Sequence, residues 1–153
     1  MQTPLTLATL RPDLESTVSR LLASQIALLP HPHYGAVVSS DDGRPAPSAT
    51  AGLVTAGAYL CLVHGTVDTA LLGRLISAAD ALLGLQRPGG LVDRPTVNID
   101  SGPDTGFIVQ LLCTVLDLGR RATWVDDAWD RLLERVSRFV RRAGEERPHP
   151  ADL

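Results

Sequence analysis

Five helical segments alternate in character along this chain, and that alternation limits the possible folds more than any other feature. The first, third and fifth are amphipathic, while the second and fourth carry apolar residues on nearly every side. An amphipathic helix needs cover on one face only, whereas a helix apolar all round must be buried on most sides. The pattern predicts an all-α protein in which the odd helices face solvent and the even helices lie inside.

The segment boundaries follow from local signals. The first helix starts at Pro12 and Asp13, carries Leu14, Val18, Leu21, Leu22 and Ile26 at helical spacing, and stops by Pro30. A long loop over 30–48 follows, rich in Pro and Gly; a loop of that length in a compact domain is usually functional or mobile. The second helix runs from about Ala49 to His64 with Ser48 as N-cap. Its small residues Ala49, Gly52, Ala56 and Gly57 would let another helix approach closely. Asp68 caps a third helix that reaches Gln86, with Arg74, Ser77 and Asp80 facing away from its apolar stripe. Ser101 and Asp104 have capping-box spacing before a fourth helix, about Pro103 to Leu118, with Gly119 as its C′ residue. Thr123 and Asp126 form a second such box before the fifth helix, which Gly144 ends. Residues 1–144 read as one helical domain and 145–153 as a disordered tail.

The units resemble one another. Leu21-Leu22-Ala23-Ser24-Gln25 matches Leu82-Leu83-Gly84-Leu85-Gln86. After each loop, Thr50-Ala51-Gly52-Leu53-Val54 is echoed by Asp104-Thr105-Gly106-Phe107-Ile108. Each unit is an outer helix, a long loop and an inner helix. No strand alternation competes, and Val37-Val38 is too short to count as a strand.

Composition excludes several classes. A net charge of −3 gives no basic footprint for nucleic acid. No apolar run reaches the ~20 residues that span a bilayer, and no signal peptide is visible, so the expected compartment is the cytoplasm. Cys61 and Cys113 each sit in an apolar helical run and are expected to be buried free thiols. There is no zinc spacing, no P-loop, no dinucleotide fingerprint and no G-x-S-x-G, so neither cofactor nor metal is expected.

The central stretch resembles a known family. Leu82, Leu83, Gln86, Pro88, Gly90, Asp93, Pro95-Thr96, Asn98, and Ser101-x-Pro103-Asp104-Thr105-x-Phe107 are similar to the N-terminal helical part of (α/α)-toroid carbohydrate-active proteins, in particular heparinase II/III-like polysaccharide lyases. The resemblance implies an antiparallel helix-hairpin array, a partial toroid of alternating outer and inner helices. It also implies a substrate groove lined by the loops between them. In such lyases an Asn neutralises the uronate carboxylate while Tyr and His carry the proton transfers of β-elimination.

Under that resemblance Asn98 is the candidate carboxylate neutraliser; without it, Asn98 is a loop-stabilising Asx residue. Asp93, Thr96, Asp100 and Asp104 are candidate contacts to sugar hydroxyls, although Asp104 is more simply explained as a capping-box acid. His33 and Tyr34, with His31, occupy the equivalent loop of the preceding unit and are expected to face the same groove. Tyr59 and Trp129 read as core, His64 as a helix-end cation, and Trp124 as the more exposed tryptophan. The family's catalytic Tyr and His have no counterpart by motif, so independent catalysis is not expected. The implied partners are an acidic oligosaccharide, or a second subunit or second copy that completes the helical array. The contrasting expectation is a helical interaction module without enzymatic activity.

Overall fold

The computed structural model describes Pro4, Thr6 and residues 8–94 and 98–145, with backbone only at Asn98 and Ile99. Five α-helices carry the fold: α1 (Arg11–Ala23), α2 (Pro47–His64), α3 (Thr69–Leu85), α4 (Gly102–Arg120) and α5 (Asp127–Ala143). The all-α array expected from the alternation is what forms. Helix α2 lies at its centre, packed against α1, α3 and α4, and α5 closes the far side against α3 and α4. On α2 the residues Ala51, Leu53, Val54 and Ala58 have no exposed surface. Gly57 lets α2 approach α3 closely, because the Leu75 side chain fills the space a Cβ would need.

Caps set the helix starts where a side chain can reach forward to the amide three residues on. The Asp68 carboxylate accepts from the Leu71 amide at 3.0 Å, and the Asp126 carboxylate from the Trp129 amide at 2.9 Å. Ser101 Oγ accepts from the Asp104 amide at 3.3 Å and donates to the Asp104 carboxylate. Two expected starts move. Helix α2 begins at Pro47 behind Ala46, because Pro fits the first turn without a donor, so Ser48 is inside the helix. Helix α5 begins behind Asp126, not Thr123.

Gly119 is not a C′ residue but lies within α4. A Cβ there would press on Leu133 at 2.8 Å, and its carbonyl accepts from Trp129 Nε1 at 3.2 Å. The glycine is a contact point for α5.

The absence of strands was a wrong expectation. Two short strands, β1 (Val92–Arg94) and β2 (Asn98–Ser101), pair antiparallel with a bulge, Val92 opposite Ser101 and Arg94 opposite Asn98. The first loop makes single bridges instead, Gln25 with Val37 and Val38 with Pro45. Periodicity misses such pairs because they are too short to alternate visibly.

Helix α4 departs from its expected burial. Ile108, Leu112, Val115 and Leu116 are buried, but Phe107 and Leu111 are 69% and 41% exposed, and Cys113 is exposed. An apolar residue list does not say which side of a helix has a neighbour, and one side of α4 has none among the described residues. Among them, too, no helix is long and apolar enough to cross a membrane.

Candidate functional site

Each outer-to-inner loop is tied down by the same set of bonds. Gln25 Nε2 donates to the Gly35 carbonyl at 2.8 Å and to the Arg74 carbonyl of α3 at 2.9 Å. Gln86 Nε2 donates to the Gly90 carbonyl at 2.7 Å and to the Phe139 carbonyl of α5 at 3.0 Å. Both glutamines are buried. The Val37 amide donates to Thr50 Oγ1 at 3.0 Å, and the Val92 amide to Thr105 Oγ1 at 3.0 Å. Each threonine hydroxyl then donates back one turn, to Ala46 and to Ser101. The internal repeat is thus physical, and its function is to dock a loop between consecutive outer helices.

These bonds also correct the sequence register of the inner helices by one residue. Thr50 corresponds to Thr105, not to Asp104, so Leu53 corresponds to Ile108 and Gly52 to Phe107. Leu53 and Ile108 are both buried; Gly52 and Phe107 are not.

The two loops are not the same length. Gln25 reaches a glycine 10 residues on, and Gln86 reaches one 4 residues on. The extra residues of the first loop include His31 and His33. They line a separate small pocket of about 230 Å³ with Tyr34 and with Asp80, Ala81 and Gly84 of α3. His33 and Tyr34 therefore do not face the groove of the second loop, contrary to expectation: the added length projects outward, beside α3. The imidazole of His31 accepts from the His33 amide at 3.0 Å, which closes the turn. No group of His, Cys, Asp and Glu suited to a metal ion occurs among the described residues.

The remaining parts of both loops converge on one groove of about 650 Å³. The first loop contributes Ser39, Asp41 and Asp42, and the start of α2 contributes Pro47 and Ser48. The second contributes Asp93 and Arg94 from β1, with Asp104 and Phe107 from the start of α4. Of the residues anticipated from sequence, the structure brings Asp93 and Asp104 together here.

The others have different placements. Asp100 is at positive φ (50°) on β2, and its amide donates to the Asp93 carboxylate at 2.8 Å. Arg87 approaches both carboxylates, Asp93 at 3.5 Å and Asp100 at 3.6 Å. Asp100 thus braces the hairpin. Asn98 pairs through its backbone with Arg94, while its side chain, like Thr96, lies outside the described residues.

Several residues mean something other than their sequence context suggested. Arg74 does not face away: its Nε donates to Gln25 Oε1 at 2.6 Å and its Nη2 to the Leu22 carbonyl at 3.0 Å, closing the end of α1. The equivalent position in α5 is Phe139, and Gln86 Oε1 accordingly has no hydrogen-bond partner. Trp124 is half-buried and Trp129 buried, as expected, and their rings meet nearly perpendicular with centroids 5.1 Å apart. The exposed aromatic ring at the groove is Phe107, which sequence reasoning placed among buried residues. Its signal was present in the repeat, at a position held by Gly52 in the first unit.

Chemically, the groove offers carboxylate acceptors, one guanidinium and one open aromatic ring. No His, Tyr or Cys lines it among the described residues. Comparison of the chain with protein-family models, with curated proteins and with solved structures finds no match.

Proposed function

We propose that this chain is a non-catalytic carbohydrate-binding helical array, akin to the N-terminal part of heparinase II/III-like lyases. The observation that supports this is the groove between the two loops, where Asp93 and Asp104 stand beside the exposed ring of Phe107. Carboxylate oxygens accept hydrogen bonds from sugar hydroxyls, and an open aromatic face packs on the C–H side of a pyranose. Repeat-related loops give the groove two walls of similar construction, which suits a chain of sugar units.

Calorimetric titration with an oligosaccharide panel tests this. Binding is expected to weaken at least tenfold in Phe107→Ala, whose exposed side chain can be removed without unfolding the protein. An Asn98→Ala variant that binds unchanged would remove that residue from the site. No rise in absorbance from an unsaturated uronate product is expected.

A second reading, a helical interaction module, is favoured by one specific observation. Phe107 and Leu111 are one turn apart on the open side of α4. It requires a mass that rises with protein concentration in sedimentation experiments; a monomer at all concentrations sinks it.

A further inference from the structure

The groove's charge separates classes of sugar. Among the described residues four carboxylates, Asp41, Asp42, Asp93 and Asp104, line it against a single guanidinium, Arg94. Arg87, outside the lining, offsets Asp93 only in part, because it stands 3.5 Å from Asp93 and 3.6 Å from Asp100 and its one charge is shared between them; Asp41, Asp42 and Asp104 keep the groove's excess negative.

Three of the carboxylates are held in place by their own loops. Asp42 accepts from the Arg44 amide at 3.0 Å, Asp93 from the Asp100 amide at 2.8 Å, and Asp104 from the Ser101 hydroxyl. Their positions are set before any ligand arrives. A uronate brought among them meets like charge, whereas an ammonium group meets opposite charge from both walls. Phe107 acts in the same direction, since the negative face of an exposed ring attracts a cation placed over it.

We infer that the groove selects glycans carrying free amines, hexosamine units with an unacetylated ammonium, over uronate polymers. This rests on the carbohydrate reading above and replaces the acidic oligosaccharide implied by family resemblance with a cationic one.

The test titrates the full chain with glucosamine, N-acetylglucosamine and galacturonate oligomers of equal length, and with a lysine oligomer. The glucosamine oligomer should bind roughly tenfold tighter than its acetylated counterpart, and the preference should shrink as salt rises. The double variant Asp41→Asn/Asp42→Asn should lose most of that preference at an unchanged thermal midpoint; a preference that survives in the folded variant overturns the charge inference. The Asp42→Asn change retains a side-chain oxygen to accept from the Arg44 amide, so the turn survives.

Tightest binding of the acetylated or the uronate oligomer overturns the charge inference and leaves the carbohydrate reading standing. Binding of the lysine oligomer as tightly as the amino sugar, with Phe107→Ala affecting neither, overturns both, as does binding of none of the four.

Discussion

The side chain of Gln86 donates to the main-chain carbonyl of Phe139, 53 residues further on, at 3.0 Å. Gln25 does the same to Arg74, 49 residues on, at 2.9 Å. A single amide thereby fastens the end of one outer helix, the glycine turn after it and a main-chain carbonyl of the next outer helix. The loops that form the groove are rigid at this end because buried carbonyls would otherwise lack donors.

Replacing either glutamine by leucine should be strongly destabilising. Two carbonyls lose their donor in each case, at about 1–3 kcal/mol apiece. Gln25→Leu should cost more than Gln86→Leu, because it also removes the acceptor of Arg74 Nε, whereas Gln86 Oε1 has no partner to lose. Urea midpoints for the two variants, at unchanged m, check the order.

Gly35 and Gly90 should not tolerate alanine. Both have φ near +90°, and a Cβ at either would collide with a carbonyl oxygen of the facing outer helix, that of Ser77 or of Arg142. Gly43 is the internal control. Its φ is +68° but nothing lies within 4 Å, so Gly43→Ala should cost only about 1 kcal/mol. Comparable thermal shifts for all three would show that the close approach is unimportant.

Thr105→Val keeps the shape of the side chain but removes the acceptor of the Val92 amide. The buried amide is left unpaired, for a loss of about 1–3 kcal/mol. Hydrogen exchange at Val92 should accelerate more than at α4 core amides, because the hairpin loosens locally before the helix does. Thr50→Val should act in the same way on Val37.

The two thiols should differ in reactivity. Cys113 is exposed and should be modified in the native protein; Cys61 is buried and should react only on unfolding. Burial pushes the Cys61 thiol above its ordinary value of 9.0. It also pushes the Tyr59 phenol above 10.0, against a smaller opposing effect of its hydrogen bond with Thr114. Both groups stay protonated longer in the folded state than in the unfolded one, so their contribution is present below the unfolded values and lost as pH rises past them. Stability should therefore fall from about pH 9 upward, less steeply in Cys61→Ala. An alkaline limb identical to wild type would contradict this.

What could be read from sequence was mostly what is local. Asp68 and Ser101 were legible as caps because donor and acceptor lie three residues apart. The recurrence of Gln25 and Gln86 was visible too, although its purpose was not, since their carbonyl partners belong to distant helices. Phe107 is not legible as exposed for two reasons. By residue type the second echo matches best one residue out of register, with Phe107 opposite the buried Leu53, and an apolar residue in a mostly apolar helix predicts burial.

By itself, the sequence determined the number of helices, their alternating character, most of their caps and the repeated loop between outer and inner helix. Each of these depends on hydrophobic spacing or on bonds across a few residues. Only the tertiary structure decided that the second loop folds into a strand pair, that the added length of the first carries His33 and Tyr34 to another face, and that Asp41, Asp42, Asp93 and Asp104 share a groove. It also decided that the apolar surface of α4 is covered on one side and open on the other. Burial and proximity belong to pairs of surfaces, and no residue pattern within one helix specifies which of its sides will meet another.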